Sequence, residues 1–213
     1  MHIKRSELIS TLTHLTGAVG LAIGAVFLLI SCQGRGDMIT VCLIYTVCGL
    51  LMFLASFFYH AQKQQENHNN IWRKLDHIAI FIMIAGSYTA LCHIYLPPAT
   101  AMWLIIAQWL LVAFGVFYKI FWIKGPRFLS SLIYLLMGWM IVIPLGDLLD
   151  SMNALKLWLL ISGGLAYTVG AVLYAFKKPN FIPNFFAFHE VFHIFVLLGA
   201  ALHWTVIYIG LSG

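Results

Sequence analysis

An all-α bundle of seven transmembrane helices is the fold this sequence predicts, with the amino terminus in the cytoplasm and the carboxyl terminus outside. Composition is the first reason. Of 213 residues, 62% are hydrophobic and only 9% charged, with a mean hydropathy of +0.93, whereas charged residues make up about a quarter of a soluble domain. Spacing is the second, because seven apolar runs of spanning length alternate with short polar loops. The third is the placing of the basic residues. Lys4, Arg5, Lys63, Arg73, Lys74, Lys119, Lys124, Arg127, Lys177 and Lys178 fall on one side and only Arg35 and Lys156 on the other, and cytoplasmic loops carry the excess. The formal charge of +5 does not point to nucleic acid, since these residues are scattered through loops and form no basic stripe. No loop is long enough to hold a soluble domain and no internal repeat is evident. One domain covering residues 1–213 of a multi-pass membrane protein is expected.

The spans are expected at about 15–31, 38–59, 76–95, 101–121, 128–145, 155–176 and 187–208. The first follows a polar, charged start and places Thr13-His14 at the membrane entrance. Its Leu29-Ile30-Ser31-Cys32 resembles a lipoprotein cleavage box, where processing would remove the segment. The second ends in Ser56-Phe57-Phe58-Tyr59-His60, with Ser56 one helical turn deeper than His60 on the same face. Ala61 to Leu75 reads as a solvated loop that includes His68. Asp76-His77 open the third span, where the helix dipole alone favours a carboxylate. Pro97-Pro98 break the chain before the fourth, and a loop with Lys119, Lys124, Gly125, Pro126 and Arg127 leads into the fifth, closed by Pro144, Asp147 and Asp150. The sixth carries Gly163, Gly164 and Gly170, small residues that let helices approach closely. Lys177, Lys178, Pro179 and Pro183 mark the loop before the seventh.

That last span opens with His189-Glu190-Val191-Phe192-His193. Histidines four apart lie one above the other on a helix, so both can offer a nitrogen to one metal ion. A His-x-x-x-His pair can equally sit idle at a lipid interface. With alternating spans, however, His60, Asp76, His189 and His193 all reach the cytoplasmic ends, and ionisable groups inside spans usually mark a site. His14 lies near the same surface, while His93 and His203 approach the opposite one. His60, His189 and His193 are therefore the expected metal ligands. Zinc suits imidazoles better than magnesium or calcium does, and three ligands leave a position for water. Asp76 and Ser56 are the candidate catalytic residues; Asp76 either binds the ion directly, closing the site, or stands beside it to orient water or accept its proton.

Thr13-His14 with Gly17, Ser56-x-x-x-His60, Lys74-Leu75-Asp76-His77 running to Gly86-Ser87-Tyr88-Thr89, Met137-Gly138-Trp139 and His189-x-x-x-His193 together resemble the hemolysin III branch of the progestin and adipoQ receptor family, which includes the adiponectin receptors. The resemblance covers the whole chain. It implies a seven-helix bundle with the amino terminus inside, zinc on His60, His189 and His193, and Asp76 and Ser56 in the polar shell around it. The family is also similar to alkaline ceramidases, which implies hydrolysis of a lipid amide. Other members imply regulation of membrane fluidity or energetics, and the hemolysin name implies pore formation. Ala90 stands where a proline is expected after Tyr88-Thr89, and Ser10 where an asparagine often precedes Thr13-His14.

Three functions follow as expectations: a zinc-dependent hydrolase of a lipid amide or ester, with membrane lipid as substrate; a sensor or regulator with structural zinc; and a pore-forming hemolysin. A pore needs a continuous polar lining, which these spans lack through their middle. His189-Glu190-x-x-His193 also fits the zinc-protease pattern with glutamate as base, although Glu190 equally suits a helix's first turn. Cys32, Cys42, Cys48 and Cys92 lie in the outer half, with no spacing that identifies a pair, and free thiols are expected.

Overall fold

Apolar sequence in lipid finds no water for its backbone, and a helix satisfies N–H and C=O groups within one segment. The computed structural model describes residues 3–32, 34–63, 71–122, 125–182 and 185–212, and these are helical nearly throughout. A short 3₁₀ turn, Arg5–Glu7, runs into α1 (Leu8–Ser31). Then come α2 (Gly36–Gln62), α3 (Ile71–Tyr95), α4 (Pro98–Phe121), α5 (Arg127–Trp139), α6 (Leu145–Ser151), α7 (Ala154–Phe176) and α8 (Phe188–Ser212). Among the described residues six helices are each long and apolar enough to cross a membrane, and the bent pair of α5 and α6 brings the number to seven when the two are counted as one broken span. Glu66, His68, Lys124 and Pro183, all read as loop residues, lie outside the described residues.

The helices pack as a series of neighbours with α3 as the hub. α1 lies between α2 and α8, α8 against α7, and α7 against α5, while α3 touches α2, α4, α5 and α8. α3 is accordingly the most buried span. A core of Tyr45, Phe53, Leu28, Leu104, Val206 and Ile207 fills the space around it.

Three expected boundaries shift. α1 begins at Leu8, so His14 stands two turns inside a helix and not at its entrance. α3 begins at Ile71, which places Asp76 in the second turn; the dipole acts mainly within the first turn and is a weaker explanation of it there. The fifth span, expected unbroken over 128–145, bends by 56° between Val142 and Leu145. Pro144 has no N–H to continue the ladder, and the groups freed at the break find side-chain partners. Gln108 donates to the Met137 carbonyl at 2.9 Å. The Ile141 N–H donates to the Tyr88 hydroxyl at 2.6 Å, which itself donates to the Gly138 carbonyl at 2.8 Å. Lys119, read as a loop residue, belongs to α4 and is 1% exposed.

Candidate metal centre

Four histidines from three helices meet at one end of the bundle. His14 comes from α1, His60 from the last turn of α2, and His189 and His193 from the first turns of α8. The expected ligands are brought together: ring centroids stand 5.0 Å apart for His60 and His189, 5.0 Å for His60 and His193 and 4.5 Å for His189 and His193. His14 joins them, its ring 4.2 Å from that of His193. Among the described residues, the three buried histidines whose nitrogens lie mutually within 4.8 Å are His14, His60 and His193, so His14 stands with His60 and His193 where the expected trio had His189. His189 stands beside this group, its Nε2 3.3 Å from that of His60 and its ring 4.5 Å from that of His193.

These residues fit a metal ion on two counts. Two nitrogens bound to one tetrahedral ion at about 2.0–2.1 Å stand about 3.3–3.4 Å from each other, which is the separation of the His60 and His189 Nε2 atoms. Both ring nitrogens of His14 and Nδ1 of His193 are buried without a hydrogen-bond partner, a costly state for polar groups unless something else engages them.

A carboxylate outside the expected set orients the cluster. Glu7 accepts from His60 Nδ1 at 2.7 Å and from Lys63 Nζ at 2.7 Å. With the proton on Nδ1, His60 turns the lone pair of Nε2 toward the other histidines, the arrangement by which carboxylates fix metal-binding imidazoles. Spacing carried a signal for this pair, because Glu7 and His14 are seven residues apart and share a face over two helical turns. Glu7 itself precedes the apolar run, in the 3₁₀ turn that leads into α1.

Asp76 approaches from α3 through Ser56, whose hydroxyl donates to its carboxylate; Ser56 lies one turn before His60 on α2. The other Asp76 oxygen is 3.4 Å from His77 Nδ1, which donates to the Arg73 carbonyl at 2.8 Å. Glu190 is occupied elsewhere. Its Oε1 accepts from Ser10 of α1 at 2.9 Å and its Oε2 from the Ala187 N–H at 2.9 Å. The second contact closes the first turn of α8 as in a capping box. His93 pairs with Asp37 at 3.1 Å near the opposite end, and His203 faces the Leu160 carbonyl at 3.2 Å, so neither belongs to the cluster. All four cysteines are free and buried.

The cluster opens on a chamber of about 950 Å³ lined by His14, Ser56, Asp76, His189 and His193 at one end and by Leu148, Leu157, Leu160 and His203 at the other. His189 and His203 are fourteen residues apart on α8, so the chamber runs about 21 Å along that helix.

Helices of spanning length, a histidine cluster at one end and an apolar chamber beneath it define a multi-pass cell-membrane protein with a candidate metal site. Residues 2–204 match the family described as Haemolysin-III related. The chain is 32% identical over 204 residues to Hemolysin-3 of Bacillus cereus, covering 93% of this chain and 88% of that one. It is 32% identical over 203 residues to the Hemolysin-3 homolog of Bacillus subtilis (strain 168), covering 94% and 92%. It is also 30% identical over 165 residues to the Monocyte to macrophage differentiation factor of Homo sapiens, covering 74% and 64%. The protein belongs to the haemolysin-III related family.

Proposed function

We propose that the histidine cluster holds zinc and that the chain is a zinc-dependent hydrolase of a lipid amide or ester. The observation that carries this reading is the joining of the two features: the histidines, with Asp76 beside them, face the end of an apolar chamber about 21 Å long. One leaflet of the hydrocarbon core is about 15 Å thick, so an extended acyl chain fits within that length. Zinc bound by His60, His189 and His193 supplies Lewis-acid activation of water near neutral pH. The remaining work falls to this chain's residues. Glu7 holds the His60 ring in one orientation. Ser56 donates to Asp76 and so keeps its carboxylate in place as proton acceptor. The chamber walls keep bulk water from the acyl chain.

One observation favours a second reading. If His14 binds together with the other three histidines, the ion has four protein ligands, the pattern of a structural zinc site, and the chain is then a sensor or regulator of the membrane. Asp76→Asn separates the two. It preserves shape and removes the base, so zinc content should stay near one per chain while hydrolysis of ceramide-like and other acyl amide lipids falls by about 10²–10⁴-fold. Zinc-loaded wild type that releases no fatty acid from a broad lipid panel, while His14→Ala lowers zinc content as much as His60→Ala does, would give the sensor the better claim.

A further inference from the structure

Lys119 is a cation where lipid and protein should exclude one. It lies near the end of α4, 1% exposed, so its ammonium group does not reach bulk water. Nζ donates to the Ser130 hydroxyl of α5 and stands 4.8 Å from the centre of the Tyr118 ring. Neither partner carries a charge. A buried ammonium is normally paired with an anion, because an unpaired one costs several kcal/mol. Three carboxylates line the same chamber, those of Glu7, Asp76 and Glu190, and each is held by other groups. Among the described residues none pairs with Lys119.

The place of the lysine says what kind of anion fits. Lys119 and Ser130 both line the chamber, and Ser130 is itself 6% exposed. Its oxygen accepts from the lysine, so its own proton is left to donate to a second acceptor. α3 and α4 run antiparallel, and Lys74 near the start of α3 donates to the Ile120 carbonyl. Lys119 therefore stands at the histidine end of the chamber, with the apolar length toward Leu157 and His203 extending away from it. An ammonium and a hydroxyl at one end of an apolar chamber match one chemical class.

We propose that Lys119 and Ser130 form an anion subsite that takes the carboxylate or phosphate head of an acidic amphiphile whose acyl chain occupies the chamber. The proposal rests on the reading of the chamber as a lipid site and adds to it a preference for lipids that carry an acidic group over their neutral counterparts. Lys119 supplies the charge, Ser130 the second donor, and the histidine end of the chamber holds the head at the level of Asp76.

The test is binding of two fluorescent probes with the same acyl chain, one ending in a carboxylate and one in an alcohol, to the full chain in non-ionic detergent. Each is measured with metal present and after chelation. Wild type should bind the acid about tenfold or more tighter than the alcohol, the worth of a charge-assisted hydrogen bond in a buried site. Lys119→Met should erase that ratio by weakening the acid probe far more than the alcohol, and Lys119→Arg should keep it. Ser130→Ala should reduce it. Millimolar inorganic phosphate or acetate should weaken the acid probe and spare the alcohol, because free anions share the head chemistry but not the chain. Equal affinities in wild type, an undiminished ratio in Lys119→Met, or a ratio that vanishes on chelation would each overturn the subsite, the last by assigning the anion to the metal. If neither probe binds, the lipid reading of the chamber fails first. Lys119→Arg guards against misfolding, since it preserves the buried charge and its donor.

Discussion

Glu7 fixes the His60 ring by accepting from Nδ1 while Lys63 holds its other oxygen. Glu7→Gln keeps the shape but removes the charge that favours one tautomer. Its metal affinity, measured by competition with a chelator, should fall roughly 10–100-fold, whereas at saturating zinc the content should stay near one per chain. An unchanged affinity would reduce Glu7 to a helix-entry contact. Glu190→Gln is the contrasting case, since both of its oxygens serve Ser10 and the Ala187 N–H. It should keep metal affinity and any hydrolysis while losing about 1 kcal/mol of stability, read as a lower thermal midpoint. Loss of hydrolysis alone would revive the protease-like role. The difference between these two glutamates also marks what the sequence could tell. His60, His189 and His193 were legible because alternating spans set them at one level. Glu7 was not, and His14 was legible only as a residue near the same surface, because the apolar run starts at Leu15 while the helix starts seven residues earlier.

Helix contacts separate glycines that look alike in the chain. Gly163 and Gly164 are neighbours on α7, yet a Cβ on Gly163 would strike the His203 ring, while one on Gly164 would meet only Trp139 at 3.8 Å. Gly163→Leu should therefore cost about 1–3 kcal/mol through overpacking of α7 against α8. Gly164→Ala should be neutral or stabilising, by up to about 1 kcal/mol from helix propensity. Thermal unfolding of the two variants in one detergent checks the contrast, and equal midpoints would refute the assigned interface. Periodicity reveals that such residues allow close approach but not which of them is used. The same limit hid the break in the fifth span. Pro144 announced an end, but the bend depends on Tyr88 of α3 and Gln108 of α4 accepting and donating at Ile141, Gly138 and Met137, partners that no local pattern displays.

The whole bundle is asymmetric from end to end, and that asymmetry predicts its orientation. Lys4 and Arg5 precede α1, Lys63 follows α2, Arg73 and Lys74 begin α3, Lys119 nears the end of α4, and Lys177 and Lys178 follow α7. All stand at the histidine end. The other end carries Arg35 and Lys156 among Asp37, Asp147 and Asp150. Since translocation retains Lys and Arg on the cytoplasmic side, the histidine cluster, the Lys119 subsite and the mouth of the chamber should all face the cytoplasm. Single cysteines report this directly, because the four native thiols are buried and should react slowly. Asp150→Cys and Lys178→Cys each replace an exposed residue, at opposite ends of the bundle. In intact cells a membrane-impermeant maleimide should label Asp150→Cys at once and Lys178→Cys only after lysis. The reverse pattern would place the histidines outside, where they would draw metal and lipid from the outer compartment, and would remove the orientation argument built on the basic residues.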